Sequence, residues 1–324
     1  MAHRNITADQ LTFGIEIECT LPRDVIDREG ISIGGHNSGP QLPGAPDGWQ
    51  VMADCSINPT RSGHVGIEVV SPILAGQDGL LQVVKVLQLL NGWSVHVNRS
   101  TGLHIHIGTH GLGSDSLTRS PEFLRKVTAL VARNETALFA STGTKSREHG
   151  TYSASMRPWL AGAIRTLTPG RDRFGHQDLG NRYQTLNLQA LTRHGTIEFR
   201  VFQASTNVTK VATYIQTCLG LVVKAYSMKR RAKFNVDNAD LQGTGGRIHQ
   251  LTHDLCWLDY RGMSEKRHGR ILTDDQIEDY RALGDTLGFS PTVAESVREL
   301  KRLGAKYVAD IRSETGHRDH YPTR

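Results

Sequence analysis

Phe13-Gly14-Ile15-Glu16-Ile17-Glu18 places an apolar residue at every second position and two glutamates at its end. Successive side chains of a β-strand point to opposite faces. Ile15 and Ile17 would therefore face a core, while Glu16 and Glu18 share the other face, about 6.5–7 Å apart along the chain. Carboxylates placed in this way can hold the paired metal ions used in phosphoryl transfer. Because the pattern also fits an exposed strand with two solvated glutamates, it predicts a strand and leaves the function open.

A second strand pattern carries imidazoles, in Leu103-His104-Ile105-His106-Ile107-Gly108. His104 and His106 share one face and could ligate a metal or bond to phosphate oxygens. Imidazole suits Zn, Mn or Fe better than Mg, so at most one of the two is expected to ligate Mg²⁺ directly. An H-x-H pair also opens the metal site of barrel amidohydrolases, and it fits a strand whose polar face happens to carry histidine.

A third pattern is Gly195-Thr196-Ile197-Glu198-Phe199-Arg200, in which Thr196, Glu198 and Arg200 share a face. One interpretation is an ion pair across that face. The other assigns Glu198 to a metal and Arg200 to a transferred phosphoryl group, because a guanidinium grips phosphate through two parallel hydrogen bonds and keeps its charge.

A fourth element joins Asp54-Cys55-Ser56 to a strand pattern that carries Glu68. Taken separately, Asp54 fits a turn and Glu68 an exposed strand position. Taken together with the three patterns above, they predict one concave sheet lined with metal and phosphate ligands.

The remaining periodicity predicts an α+β fold with mostly antiparallel strands, outer helices and a helical C-terminal third. Residues 24–48 and 143–178 lack periodicity and are predicted to be loops. The predicted strands are 11–19, 49–53, 65–73, 103–108, 183–190 and 195–202, and the predicted helices are 76–93, 121–139, 208–229, 273–287 and 290–311.

Composition narrows the class of protein. The chain has 324 residues, of which 38% are hydrophobic and 22% charged, which predicts a folded protein. No apolar run approaches 18 residues, and the first ten residues lack a secretion-signal pattern, so a cytoplasmic location is expected. The four cysteines form no C-x-x-C pair and are expected to be reduced thiols.

The net charge of +6 and pI near 9.2 suit an anionic partner such as ATP, an acidic substrate or nucleic acid. The basic residues are dispersed and aromatic residues make up only 6%, so no stacking platform for nucleic acid is evident.

The order of the motifs resembles the amidoligases, relatives of glutamine synthetase and glutamate–cysteine ligase. The resemblance spans about two-thirds of the chain and is carried by the following segments: FGIEIE at 13–18, W-x-V-x-x-D-x-S at 49–56, EVVSPIL at 68–74, GLHIHIG at 102–108, RYQTLNL-x-AL at 182–191 and HGTIEFRVF at 194–202.

This resemblance implies a curved, mainly antiparallel sheet of the glutamine synthetase-like type. A catalytic domain would cover residues 1–232, and a helical region, 233–324, would pack on it. The site would be funnel-shaped and would hold ATP with Mg²⁺ or Mn²⁺.

The resemblance also implies a role for each candidate residue. Metal ligands would be Glu16, Glu18, Glu68, His104 and Glu198. Arg200 would hold the γ-phosphate, and the nucleotide or substrate would also contact His106, Asn187 and Arg182. Substrate would be bound by Asp54, Ser56 and Arg157, with Asp54 accepting the proton of the amine.

The expected function is therefore ATP-dependent formation of an amide bond between a carboxylate and an amine, through an acyl phosphate. The substrates would be small molecules or peptides. Two alternatives remain open: a kinase of the same fold that phosphorylates a guanidino or carboxyl group, and a metal-dependent hydrolase centred on His104 and His106. The sequence does not predict the oligomeric state.

Overall fold

The computed structural model describes residues 8–35, 38–108, 120–142, 147, 150–156, 158–159, 167, 176–228, 298–300, 302–303 and 306. Among these residues the strands are β1 (Thr12–Pro22), β2 (Gln50–Ala53), β3 (His64–Val70), β4 (Leu74–Ala75), β5 (Gly102–Gly108), β6 (Leu186–Asn187) and β7 (Thr196–Gln203). The helices are α1 (Arg23–Glu29), α2 (Gly76–Gly92), α3 (Pro121–Ser141), α4 (Ala190–His194) and α5 (Val208–Ser227). Short 3-10 helices cover Ala8–Gln10, Thr151–Ser153 and His176–Leu179.

The strands form one sheet in the order β2-β3-β1-β5-β7-β6, and β4 pairs with the beginning of β1. Every pairing in this sheet is antiparallel. The protein is therefore a mixed α/β structure built on an antiparallel sheet, as the periodicity predicts. The long strand β1 lies between β3 and β5, so its two glutamates have neighbouring strands on both sides.

One face of the sheet is apolar and forms the core. Ile15 and Ile17 of β1, Ile105 of β5 and Phe199 of β7 are all at most 1% exposed. Helices α3 and α5 pack against each other and against β7 and β5 on this side. Removal of apolar area from water stabilises the fold by about 25 cal/mol per Å². Because apolar and polar residues alternate along each strand, the apolar side chains share this face and pack inward.

Helices α2, α3 and α5 begin and end within a few residues of the predicted boundaries, which confirms those predictions. The α3 helix begins as expected, with Ser120 preceding Pro121 and its hydroxyl accepting from the Phe123 N–H at 3.5 Å. Asn207 caps α5 by accepting from the Lys210 N–H at 2.9 Å. Among the described residues, no helix is long and apolar enough to span a membrane.

The prediction that residues 24–48 form a loop is wrong at its start, where α1 occupies Arg23–Glu29. Its signals are local: Asp24 lies in the first turn, and Gly30 ends the helix with φ of 63°, a left-handed conformation that glycine adopts without strain.

The predicted strand at 183–190 is also shorter than expected. Only Leu186–Asn187 pairs as a strand, and the helix α4 follows in place of a hairpin link. The 190–194 segment therefore lies as a short helix beside β7.

The predicted helix 273–287 lies outside the described residues, and so does the predicted domain boundary at 232. Of the C-terminal region, Leu300 and Leu303 are described, are helical and are buried in the core.

Candidate functional site

Cross-strand pairing gathers the polar residues of five strands on the second face of the sheet. The directly opposed pairs are Glu18 and Glu68, Glu16 and His104, His106 and Glu198, and Asn187 and Glu198. Since opposed Cβ atoms in antiparallel strands lie about 4.5–5.5 Å apart, this register alone makes the side chains neighbours.

Glu16 lies between the two histidines. Its Oε2 is 2.9 Å from His104 Nδ1, and its Oε1 is 3.2 Å from His106 Nε2. Burial would raise the pKa of the Glu16 carboxyl, but the imidazoles of His106 and His104 together hold that pKa well below its ordinary value. Glu16 is therefore an ionised carboxylate although its side chain is only 27% exposed.

Glu198 and Arg200 of β7 form a buried ion pair through Oε1 and Nη1, and Asn187 Nδ2 donates to the other oxygen, Oε2. Burial opposes the charge of Glu198, yet His106 and Arg200 lower its pKa. The same carboxylate raises the pKa of Arg200 against the effect of burial. The ion pair expected on this strand is therefore present in the structure, and both of its side chains also line a pocket.

Glu68, on β3, lies in an acidic cluster on the same face of the sheet. Ligand oxygens of Glu18, Asp54 and Glu68 lie within 4.8 Å of one another. Burial and the charges of Glu16, Glu18 and Asp54 raise the pKa of Glu68 to about 9. A set of carboxylates this close together repels itself unless a cation or a proton is shared among them.

Two further groups have ligand atoms equally close: Glu16 with Glu68 and His104, and Glu16 with His106 and Glu198. Nε2 of His104 and Nε2 of His106 are buried and lie 3.5 Å from Glu18 Oε1 and 3.2 Å from Glu16 Oε1, in each case without the geometry of a hydrogen bond. Nδ1 of His104 meets Glu16 at 2.9 Å, the carboxylate contact that commonly orients a metal-binding histidine.

Oxygen ligands suit Mg²⁺, and a mixed oxygen and imidazole set suits Mn²⁺. The donor set at this face therefore fits a divalent cation of either kind.

A pocket of about 420 Å³ opens over this face. Its floor is acidic and its wall is basic, and it is lined by Glu16, His106, Arg182, Asn187, Gln189, Ala190, Arg193, His194, Glu198 and Arg200. Opposite charges on floor and wall suit a metal-bound anion, whose charge can face the cations of the wall.

The predicted residues are mostly brought together here. Asp54 is half-buried and contacts the acidic cluster, whereas Ser56 is exposed, and its backbone N–H donates to Asp54 Oδ1 at 2.7 Å. Neither residue lines the pocket. Arg182 does line it, and its guanidinium stacks 5.0 Å from the ring centroid of Tyr183. Arg157 lies outside the described residues.

Three basic residues near the site are missing from the sequence-based candidates. Arg193 and His194, on α4, line the pocket. The signal that could have found them is the pair of adjacent bases immediately before the strand that carries Glu198.

The third basic residue is Arg147, which is only 6% exposed and donates from Nη2 to the Arg200 carbonyl at 2.7 Å. Burial lowers the pKa of this guanidinium to about 10, while Glu18 raises it and Arg200 lowers it. A Cβ on Gly102 would meet Arg147 Nη2 at 2.9 Å, so only glycine leaves this packing undisturbed. Arg147 lies in a segment without periodicity, where the sequence offers no signal.

Comparison with known proteins finds a family model described as "Putative amidoligase enzyme" that matches residues 9–222. Among solved structures, the bifunctional glutathione synthetase from Pasteurella multocida is similar at 9% sequence identity and a TM-score of 0.41. That alignment covers 96% of this chain and 50% of the synthetase, so the chain spans half of its length. Similarity at this level carries no information about function. No curated protein matches the sequence.

Proposed function

The chain belongs to the amidoligase family, and from this membership we propose that it is an ATP-dependent ligase that joins a carboxylate to an amine at a Mg²⁺ or Mn²⁺ site. The observation that carries the proposal is the convergence of four glutamates and two histidines beside Arg200, on one face of the sheet and next to a pocket with a basic wall.

The carboxylates and imidazoles of this face would hold the cations. Glu16, Glu68 and His104 form one candidate set, and Glu16, His106 and Glu198 form another. A bound divalent cation would neutralise part of the triphosphate charge and so reduce the repulsion between ATP and the carboxylate substrate.

The chemical problem explains why a phosphate-binding wall should face such a floor. A carboxylate is a poor acyl donor because oxide would have to leave. Transfer of the γ-phosphoryl group of ATP to a carboxylate oxygen releases ADP and gives an acyl phosphate. Attack of a neutral amine on the acyl carbon then forms the amide bond and releases phosphate.

The basic residues of the pocket would stabilise charge in these steps. Arg200 is held by Glu198 through Nη1, and its place in the pocket lining suits a contact with the transferred phosphoryl group. Arg182, Arg193 and His194 would face the remaining phosphates or the carboxylate of the substrate. Asn187 would hold Glu198 in place and face the nucleotide.

We assign the acidic cluster to binding of the amine substrate. A protonated amine is attracted by the negative charge that Glu18, Glu68 and Asp54 share, and it must lose a proton before it can attack. Asp54 is the least buried of the three carboxylates, and we assign it as the proton acceptor. Ser56 would line the approach of the substrate.

The test of this function is isotopic. The protein is incubated with a metabolite extract, ATP and Mg²⁺, and mass spectrometry identifies the product formed by condensation with loss of one water. The carboxylate substrate labelled with ¹⁸O should then transfer one label to the released phosphate, with Glu16→Gln as the inactive control. A phosphorylated product formed without an amine would favour a kinase. Turnover that needs Zn²⁺ and no ATP would favour a hydrolase, and either result would overturn the proposal.

A further inference from the structure

A buried glutamate behind the site is used by none of the chemistry above. Glu135, on α3, is 2% exposed and does not line the pocket. Its carboxylate accepts from the Met156 N–H at 2.8 Å, from the Thr185 hydroxyl at 2.7 Å and from the Ser155 hydroxyl. Hydrogen bonds to an ionised acceptor are about twice as strong as those between neutral groups.

The three donors come from two chain segments that are paired with each other. The Ala154 N–H donates to the Tyr183 carbonyl at 2.8 Å, and the Thr185 N–H donates to the Ala154 carbonyl at 2.9 Å. These bonds lay the 152–156 segment alongside the residues that lead into β6. Glu135 therefore ties helix α3 to the junction between the two segments.

Both segments contact Arg200. The Thr185 carbonyl accepts from the Arg200 N–H at 3.0 Å, and the Tyr152 carbonyl accepts from Arg200 Nε at 3.2 Å. Nη1 donates to Glu198, so three donors of Arg200 (its backbone N–H, Nε and Nη1) are hydrogen-bonded within the protein. Among the described residues, none accepts from Nη2 of this guanidinium.

We propose that Glu135 is a positioning residue that sets the orientation of the Arg200 guanidinium through the 152–156 segment and Thr185. Loss of the carboxylate would leave the Met156 N–H without its acceptor at 2.8 Å, and the Thr185 hydroxyl would keep only its longer contact with the Ala154 carbonyl at 3.2 Å. The segment would then shift to find new partners and would carry the Tyr152 carbonyl away from Arg200 Nε. The orientation itself is independent of the reaction, whereas its value for phosphoryl transfer rests on the proposed function.

The first experiment measures the Arg200 Nε–H directly by ¹H–¹⁵N NMR, assigned by its absence in Arg200→Lys. In the wild type, the hydrogen bond to Tyr152 should protect this proton from exchange with solvent. Glu135→Ala should lower the protection about tenfold, the factor that corresponds to about 1.4 kcal/mol. Glu135→Gln keeps an acceptor for two of the donors and should restore most of the protection. Glu122→Gln, an exposed position on the same helix, is the matched control.

Thr185→Val supplies a second test in case Glu135→Ala does not fold. Valine has nearly the same volume as threonine but lacks the hydroxyl. This variant should therefore lower the protection of Arg200 Nε–H by a smaller factor than Glu135→Ala does. Unchanged protection in a folded Glu135→Ala protein, or in Thr185→Val if the alanine variant does not fold, would overturn the proposal.

The second experiment is a double-mutant cycle on binding of Mg²⁺ with the ATP analogue AMP-PNP, measured by calorimetry. If Glu135 acts through Arg200, Thr185→Val and a folded Glu135→Ala should weaken binding in the wild-type background and change it less than about twofold in Arg200→Lys. Equal effects in both backgrounds would assign Glu135 a general structural role and overturn the proposal. If the wild type binds no AMP-PNP, the proposed function fails, and the NMR result still decides the positioning role.

Discussion

Substitution of Arg200 by lysine separates the role of this side chain in binding phosphate from its role in the fold. Removal of one partner of a buried ion pair costs about 3–5 kcal/mol, so alanine would leave Glu198 buried beside Asn187 without its guanidinium and would confuse the two roles. Lysine keeps the positive charge near Glu198. It loses the bond from Nε to the Tyr152 carbonyl and the fork that can grip phosphate.

The expected magnitudes differ between stability and turnover. One lost hydrogen bond should cost about 1 kcal/mol of unfolding free energy, which lowers the melting temperature by a few degrees, at about 2–4 °C per kcal/mol for a large domain. Loss of a group that stabilises developing charge should lower turnover by about 10²–10³-fold. The affinity for Mn²⁺ should change by less than about threefold, because the charge at this position is retained.

The assay is Mg²⁺-dependent ATP turnover with the substrate pair identified by mass spectrometry, together with Mn²⁺ titration and thermal unfolding of the same samples. Arg28→Lys is the control, since Arg28 pairs with Glu29 on the exposed helix α1. Turnover in Arg200→Lys within about threefold of the wild type would refute the assignment of Arg200 to the phosphoryl group. Loss of Mn²⁺ binding in parallel with turnover would show a structural defect instead.

Three further outcomes are expected. Glu68→Gln should weaken Mn²⁺ binding by at least about tenfold in a calorimetric titration, because it removes one of the clustered carboxylates; unchanged affinity would exclude Glu68 as a ligand. Asn207→Ala should lower the unfolding free energy by about 1 kcal/mol in urea, because it removes the N-cap of α5, and it should leave Mn²⁺ affinity unchanged. In native protein, Cys55 is exposed and should react quickly with an aromatic disulfide reagent. Cys19 and Cys218 are buried and have raised pKa values, so they should react only after denaturation. Fast labelling of a Cys55→Ser variant at either buried thiol would contradict the packing described.

Much of the candidate site could be predicted from alternation alone. The period of two in β1, β5 and β7 places Glu16, His104 and Glu198 on polar faces without any knowledge of the fold. Helices with clear apolar spacing were equally predictable. The short helix α1 was missed because the segment lacks periodicity, and its local signals are only an acidic residue in the first turn, Asp24, and a C-cap glycine, Gly30.

The residues that were missed are those whose place depends on the path of an irregular segment. Arg193 and His194 reach the pocket only because α4 turns the chain back beside the sheet before β7. Arg147 contacts Arg200 from 53 residues away along the chain, and Glu135 bonds from a helix on another layer to the segments that contact Arg200. No local pattern records such contacts.

A strand's own sequence decides which of its side chains share a face, because the backbone of an extended chain turns each residue to the opposite side of the previous one. It does not decide which strand lies next to it. Glu16 and His104 are 88 residues apart, and they meet because the antiparallel register between β1 and β5 is set by packing of the whole apolar face and by the lengths of the connections. The two faces were therefore readable from the residues, whereas the convergence of acids, imidazoles and arginines on one pocket is a property of the folded sheet.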